Sequence, residues 1–128
     1  MDMQEAQDLV RRYLDLMAER RLDEARKCLA DKVEIVFPGE FRTGELDDIV
    51  DYGRARYTSV KKHYRDAEAY AMADGAVRVI QQGTLHGFTL KGARYDGIRY
   101  VDLFIVRDGR IERQDVYNDV AESGLVKQ

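Results

Sequence analysis

The stretch from Tyr95 to Asp119 limits what this chain can fold into more than any other. It opens with Tyr95-Asp96-Gly97, runs through Ile98, Arg99, Tyr100, Val101, Asp102, Leu103, Phe104, Ile105 and Val106, and continues through Arg107-Asp108-Gly109-Arg110 to a second run ending at Tyr117-Asn118-Asp119. This pattern predicts two long strands joined at Arg107–Arg110, because Asp-Gly readily supplies the positive φ angles of a tight hairpin turn. With a two-residue period, Ile98, Tyr100, Phe104 and Val106 line one face, and Val101, Leu103 and Ile105 line the other. A strand that is apolar on both faces is expected to be covered on both. Asp102 stands in the middle of it. A carboxyl group there must be paired, hydrogen-bonded or protonated, because burying a bare charge is costly.

The preceding chain reads as helix, helix, strand, helix. Residues 2–19 place Leu9, Val10, Tyr13, Leu14 and Met17 on one helical face, and Asp2 and Glu5 have capping-box spacing. Arg20-Arg21 puts positive charge at the helix C-terminus. A short helix is predicted over 22–30, then a strand over Val33–Phe37 that Pro38-Gly39 ends. Thr43 can cap a third helix over 44–58, with Leu46, Ile49, Val50 and Gly53 on its apolar stripe. Gly53 costs about 1 kcal/mol relative to Ala inside a helix, so it reads as a point of close packing. Strands are predicted over 64–73, 76–88, 92–107 and 110–120, with turns at Asp74-Gly75 and Lys91-Gly92. The order implies an α+β fold, with an antiparallel meander carrying its helices on one face of a curved sheet. A length of 128 residues suits one domain, 1–128, with one core.

Composition narrows the function. A net charge of −3 with scattered basic residues gives no electrostatic footprint for nucleic acid or an anionic membrane. The absence of a long apolar run or a signal-like start makes a cytoplasmic protein the expectation. Cys28 is the only cysteine, and no Cys/His spacing suggests zinc, so neither a metal nor another cofactor is expected. Cys28 itself reads as a small core residue rather than a nucleophile.

Several short motifs occur in a recognisable order. They are Val10-Arg11-Arg12-Tyr13-Leu14, Leu22-Asp23-Glu24-Ala25, Phe37-Pro38-Gly39 with Arg42-Thr43-Gly44, Val101-Asp102-Leu103-Phe104 before Asp108-Gly109-Arg110-Ile111, and Tyr117-Asn118-Asp119. Together they resemble the nuclear-transport-factor-2-like superfamily over nearly the whole chain, particularly its ketosteroid-isomerase and SnoaL-like polyketide-cyclase branches. The resemblance implies a cone: a bent antiparallel sheet wrapped around N-terminal helices and a deep apolar cavity. It also implies a homodimer formed through the outer sheet face.

By that resemblance, Tyr13 and Asp102 match the tyrosine and protonated aspartic acid that donate to a steroid enolate in ketosteroid isomerases; that enzyme is itself the standard example of a carboxylic acid kept neutral by an apolar site. From the residues alone, the two could act as a donor pair or satisfy each other as a core hydrogen bond. The isomerase's general base precedes a proline; here that place is held by Phe37, before Pro38, which cannot accept a proton. Glu34 alternates to the opposite face. Comparison with the isomerases puts Arg78, Ile80, Gln82, Thr84 and His86 on the cavity face, with Gln114, Val116 and Asn118 on the last strand. Arg78 also matches an arginine of the limonene-epoxide-hydrolase branch, but that branch's two aspartates are replaced by Ile80 and Val116. His63 matches a scytalone-dehydratase histidine, and His86 is placed near the cavity mouth. Either could move a proton near neutral pH. Phe37, Tyr57 and Tyr100 are further candidates to line a substrate, with Tyr52 beside them.

The expectation is therefore a cofactor-free enzyme of isomerase, cyclase or lyase type acting on a small apolar cyclic or aromatic molecule. Tyr13, Asp102, His63 and His86 would carry the chemistry. Phe37, Tyr57, Arg78, Gln82, Tyr100, Gln114 and Asn118 would hold the substrate. Two alternatives stay open: a non-catalytic protein that binds a small ligand, and an interaction module with no ligand.

Overall fold

The computed structural model describes residues 2–125. In chain order the elements are α1 (Met3–Ala18), α2 (Leu22–Arg26), β1 (Leu29–Phe37), β2 (Phe41–Thr43), α3 (Leu46–Arg54), β3 (Tyr57–Ala71), β4 (Val77–Thr89), β5 (Arg94–Arg107) and β6 (Arg110–Asn118). Local signals start and stop many of them. Asp2 and Glu5 close a reciprocal capping box on α1, and the Arg20 guanidinium donates to the Met17 carbonyl at its other end. Asp108 and Gly109 both have positive φ, at 51° and 77°, so β5 and β6 are joined by the two-residue turn that the pair predicts. No helix among the described residues is long and apolar enough to cross a membrane.

The strands form one curved, open sheet in the order β2-β1-β6-β5-β4-β3. β3 to β6 are an antiparallel meander. The sheet as a whole is mixed, because β1 runs parallel to β6, with Ile35 beside Gln114. This corrects the all-antiparallel expectation. No turn links β1 to β6, so nothing local in the sequence records their relative direction. The three-residue β2 has no counterpart among the predicted strands; it folds back on β1 and forms one edge.

Four element ends also move. The second helix stops at Arg26, and Leu29 begins β1, aligned with Ile111 of β6. The third helix stops at Arg54, and β3 starts at Tyr57. His63 therefore lies within a strand rather than just after a helix. β3 is the other sheet edge, and its face is broken by Lys61, Lys62, Arg65, Asp66 and Glu68. Those charges protect an edge from pairing with another chain, and they also mask the apolar alternation that marks a strand.

The helices cover the concave face. Val10, Tyr13, Leu14 and Met17 of α1 pack with Val33, Ile35, Val77, Val79, Phe104, Val106 and Ile111. A second apolar cluster joins Leu85, Ile98, Tyr100 and Val120. Each fully buried side chain of this kind contributes about 1.5–3 kcal/mol. Along β5 the even-numbered residues from Ile98 to Val106 are buried, while Val101, Leu103 and Ile105 are half-buried. Helices thus cover one face of this strand, and nothing among the described residues fully covers the other. Cys28 is buried, as expected of a core residue.

Candidate functional site

A band of polar side chains separates the two apolar clusters. Gln81, Asp102 and Gln114 are the buried polar residues of the described chain, with Asp102 only 2% exposed. The register sets them side by side. Gln81 on β4 lies directly across from Asp102 on β5. Gln114 on β6 lies across from Phe104, one inward-facing position along from Asp102.

α1 brings Tyr13 onto this band. Its ring meets Phe104 edge-on at 6.2 Å, and its hydroxyl donates to Gln114 Oε1 at 3.3 Å. The partner of Tyr13 is thus Gln114 and not Asp102, which corrects the alternative of a Tyr13–Asp102 core hydrogen bond. Tyr13 is nevertheless close enough to feel that carboxylate. Burial first, and the Asp102 charge second, hold its phenol well above the usual range.

Asp102 Oδ2 is sealed from solvent with no hydrogen-bond partner among the described residues. Burial pushes its carboxyl up to about 6, while the positive charge of Lys62 pulls the other way. Two residues earlier on the same face, the Tyr100 hydroxyl is also buried, with no partner within hydrogen-bond geometry among the described residues. Burial first and the Asp102 charge second raise that phenol too, while the neighbouring Gln81 side chain pulls it down. Lys62 Nζ lies 5.3 Å from the centre of the Tyr100 ring. Gly83 sits across from Tyr100. A Cβ there would come within 3.1 Å of that ring and 2.0 Å of the His63 carbonyl oxygen, so β3, β4 and the Tyr100 ring approach this closely only over glycine.

The other candidates are placed as follows. Tyr57 stacks on Tyr95 at 6.2 Å, and burial pushes its phenol up to about 12, with the Asp102 charge among the lesser causes. Phe37 packs on Tyr52 at 4.6 Å, and the Tyr52 ring in turn stacks on Phe41 and lies under the Arg56 guanidinium. Tyr52 and Arg56 border a groove of about 520 Å³ that also touches Pro38, Asp48 and Asp51. Gln114 and Val116 face inward as expected. Asn118 lies across from Tyr100 and accepts from the Val120 N–H. Glu34 faces outward and pairs with Arg42 and Arg113.

β4 is turned over relative to expectation. Its buried face carries Val77, Val79, Gln81, Gly83 and Leu85. Arg78, Ile80, Gln82, Thr84 and His86 point to the outer face, so Arg78 and Gln82 do not meet Asp102. Gln82 instead borders an outer groove of about 350 Å³ with Arg65, Arg99 and Tyr117. His63 pairs across from Thr84, and His86 across from Lys61. Both histidines thus share the outer face, stacked ring on ring at 4.0 Å, with the sheet between them and Asp102. The apolar alternation Val77, Val79, Leu85 carried the right answer, because the more hydrophobic face of a half-buried strand turns inward. That signal would have found Gln81. Lys62 had no comparable signal.

Comparison with known proteins bears on the whole chain. No curated protein matches it in sequence. Among solved structures, TerC co-crystallised with polyporic acid superposes with a TM-score of 0.76 at 16% identity, covering 93% of this chain and 95% of that one. An NTF2-like protein from Burkholderia pseudomallei K96243 gives 0.75 at 16% identity, over 96% and 95%. A candidate polyketide cyclase from Xanthomonas campestris pv. campestris gives 0.72 at 21%, over 97% and 98%. At these identities the likeness establishes the shared fold. In sequence, the family model for the SnoaL-like domain matches residues 10–114. The chain belongs to the SnoaL-like domain family.

Proposed function

We propose that this chain is an enzyme that moves a proton on a small, largely apolar cyclic or aromatic molecule, in isomerase, cyclase or lyase fashion and without a cofactor. The observation that carries this reading is the unpartnered Asp102 Oδ2 beside the unpartnered Tyr100 hydroxyl, both on the buried face of β5. Two orphaned polar groups in one apolar interior are costly unless something polar meets them. A substrate oxygen and an adjacent C–H or O–H would meet both.

The roles follow from the chemistry of each group. A carboxyl with a pKa of about 6 both accepts and returns a proton near neutrality. Asp102 therefore fills the acid–base role that Phe37 cannot. The Tyr100 hydroxyl donates to the substrate oxygen as charge develops there. Tyr13 engages the amide oxygen of Gln114, which leaves the amide nitrogen free to donate as well. Tyr57 on β3 and Tyr64 farther along the same strand both lie near enough to feel the Asp102 charge, so they would flank the substrate, and the outer sheet face would join two copies into a homodimer. Because TerC was co-crystallised with polyporic acid, that compound is a rational first binding probe.

The test separates catalysis from binding and does not require the product to be identified. Candidate cyclic ketones and phenols are incubated in D₂O, and exchange of the acidic proton is followed by NMR. Asp102→Asn is expected to slow exchange about 100-fold or more while leaving ligand affinity within a few-fold. Parallel losses of affinity and exchange would favour the second reading, a small-ligand-binding protein on the same scaffold.

A further inference from the structure

We propose that His63, His86 and Asp96 form a binding site for a divalent first-row transition ion such as Zn²⁺ on the outer face of the sheet. The site is separate from Asp102 and independent of the enzymatic reading above. One candidate ligand atom from each residue lies within 4.8 Å of the other two. Two imidazoles and one carboxylate are a donor set suited to such ions, with open positions left for water or a further ligand.

The fold brings these residues together for a stated reason. β3 and β4 run antiparallel, with Lys61 across from His86 and His63 across from Thr84, so the two histidines are diagonal neighbours. Asp96 arrives through an irregularity in the next ladder. Leu85 aligns with Ile98, but Gly87 aligns with Tyr95, so β5 has one residue more than β4 at the level of His86. Gly97, with φ of 75°, accommodates that bulge. Bulges of this kind redirect a side chain, and here the Asp96 carboxylate is turned toward the histidines. The Gly97 N–H holds one carboxylate oxygen at 2.7 Å, which orients the group and leaves the second oxygen free.

An independent observation points to a missing partner. His86 Nδ1 is sealed from solvent with no hydrogen-bond partner among the described residues, and an orphaned buried nitrogen calls for an ion or a water. The stacked rings have an interplanar angle of 18°. Nearly parallel rings cannot both aim an in-plane lone pair at one ion, so metal capture requires one ring to turn. His63 is exposed and has the room to do so. Lys61, across from His86, is exposed as well, so its charge is solvated and weakly felt. No sequence motif announces such a site, because the ligands are 23 and 10 residues apart and only strand pairing unites them.

The test uses the metal alone. Zn²⁺ is titrated into the full chain by calorimetry at pH 7.5, and Co²⁺ replaces it for visible spectroscopy. The expected result is one ion per chain, a Co²⁺ spectrum of nitrogen and oxygen ligation, and a rise in melting temperature with added metal. His63→Gln and Asp96→Asn are both exposed substitutions that leave the fold intact, and each is expected to weaken binding at least ten-fold, as is His86→Ala. Asp102→Asn is expected to bind the metal as the wild type does, which keeps this proposal distinguishable from the one above. Absence of binding at millimolar metal would overturn the proposal. So would equal affinity in the wild type and both exposed variants, which would indicate adventitious surface binding.

Discussion

Asp102 concentrates the energetics of the molecule into one side chain. Its carboxyl holds a proton more tightly in the native state than in the unfolded chain, because burial raises it to about 6 from an ordinary value near 4. A raised carboxyl pKa favours the folded state at low pH. That contribution is complete below about pH 4 and is lost as pH climbs through 6. Asn is neutral throughout and carries no such dependence. Urea unfolding of wild type and Asp102→Asn at pH 4.5 and 7.5 is expected to show the variant gaining about 2 kcal/mol on the wild type over that interval. A difference that does not change with pH would mean the native carboxyl titrates like a free one. The demand of this residue for a partner was legible in the sequence, since a carboxylate in an apolar strand has few ways to exist. The identity of its neighbours was not. Gln81 and Lys62 come from β4 and β3, and Tyr13 turns to Gln114 because the β5–β6 register places an amide oxygen within its reach.

At the scale of elements, two glycines separate local propensity from tertiary constraint. Gly53 was expected to mark close packing, and it is buried at the end of α3 against Tyr57. A Cβ there would sit 3.4 Å from the Tyr57 ring, an ordinary contact. Gly53→Ala should therefore stabilise by about 0.5 kcal/mol, a fraction of the full helix-propensity gain because the residue lies in the last turn. Gly83→Ala has no such freedom. Its Cβ would fall 2.0 Å from the His63 carbonyl oxygen, so β3 and β4 must separate locally, at a cost of about 3 kcal/mol or more. Thermal melts decide both signs, and amide exchange along β3 should show the Gly83→Ala damage confined to residues flanking His63. The hairpin turns and the capping box were readable because their signals lie within a few residues. The orientation of β4 was readable too, from Val77, Val79 and Leu85, but the resemblance to isomerases pointed to the other parity. The parallel pairing of β1 with β6 was not readable at all, since it joins segments some eighty residues apart with no turn between them.

At the scale of the whole molecule, the outer sheet face is the unfinished part of the fold. Ile80, Val101, Leu103 and Ile105 are half-buried there, and Tyr117 is 58% exposed. A strand apolar on both faces implies cover on both, and α1 to α3 supply it only on the concave side. A second copy of the chain completes the cover if two such faces bury about 800 Å² from each partner, the usual size of a stable interface. Leu103 is the residue to alter. It lies between Ile80 on β4 and Asp115 on β6. A lysine at this position gains Asp115 as a cross-strand neighbour of opposite charge, so the monomer keeps its sheet. Its ammonium would be stranded in the middle of any interface formed by this face. Light scattering coupled to size exclusion is therefore expected to report twice the chain mass for the wild type and a single chain for Leu103→Lys, with unchanged circular dichroism. A wild type that runs as a single chain at micromolar concentration would remove the dimer. A dimeric Leu103→Lys would move the contact to another surface and leave the apolar character of β5 to intrastrand packing alone.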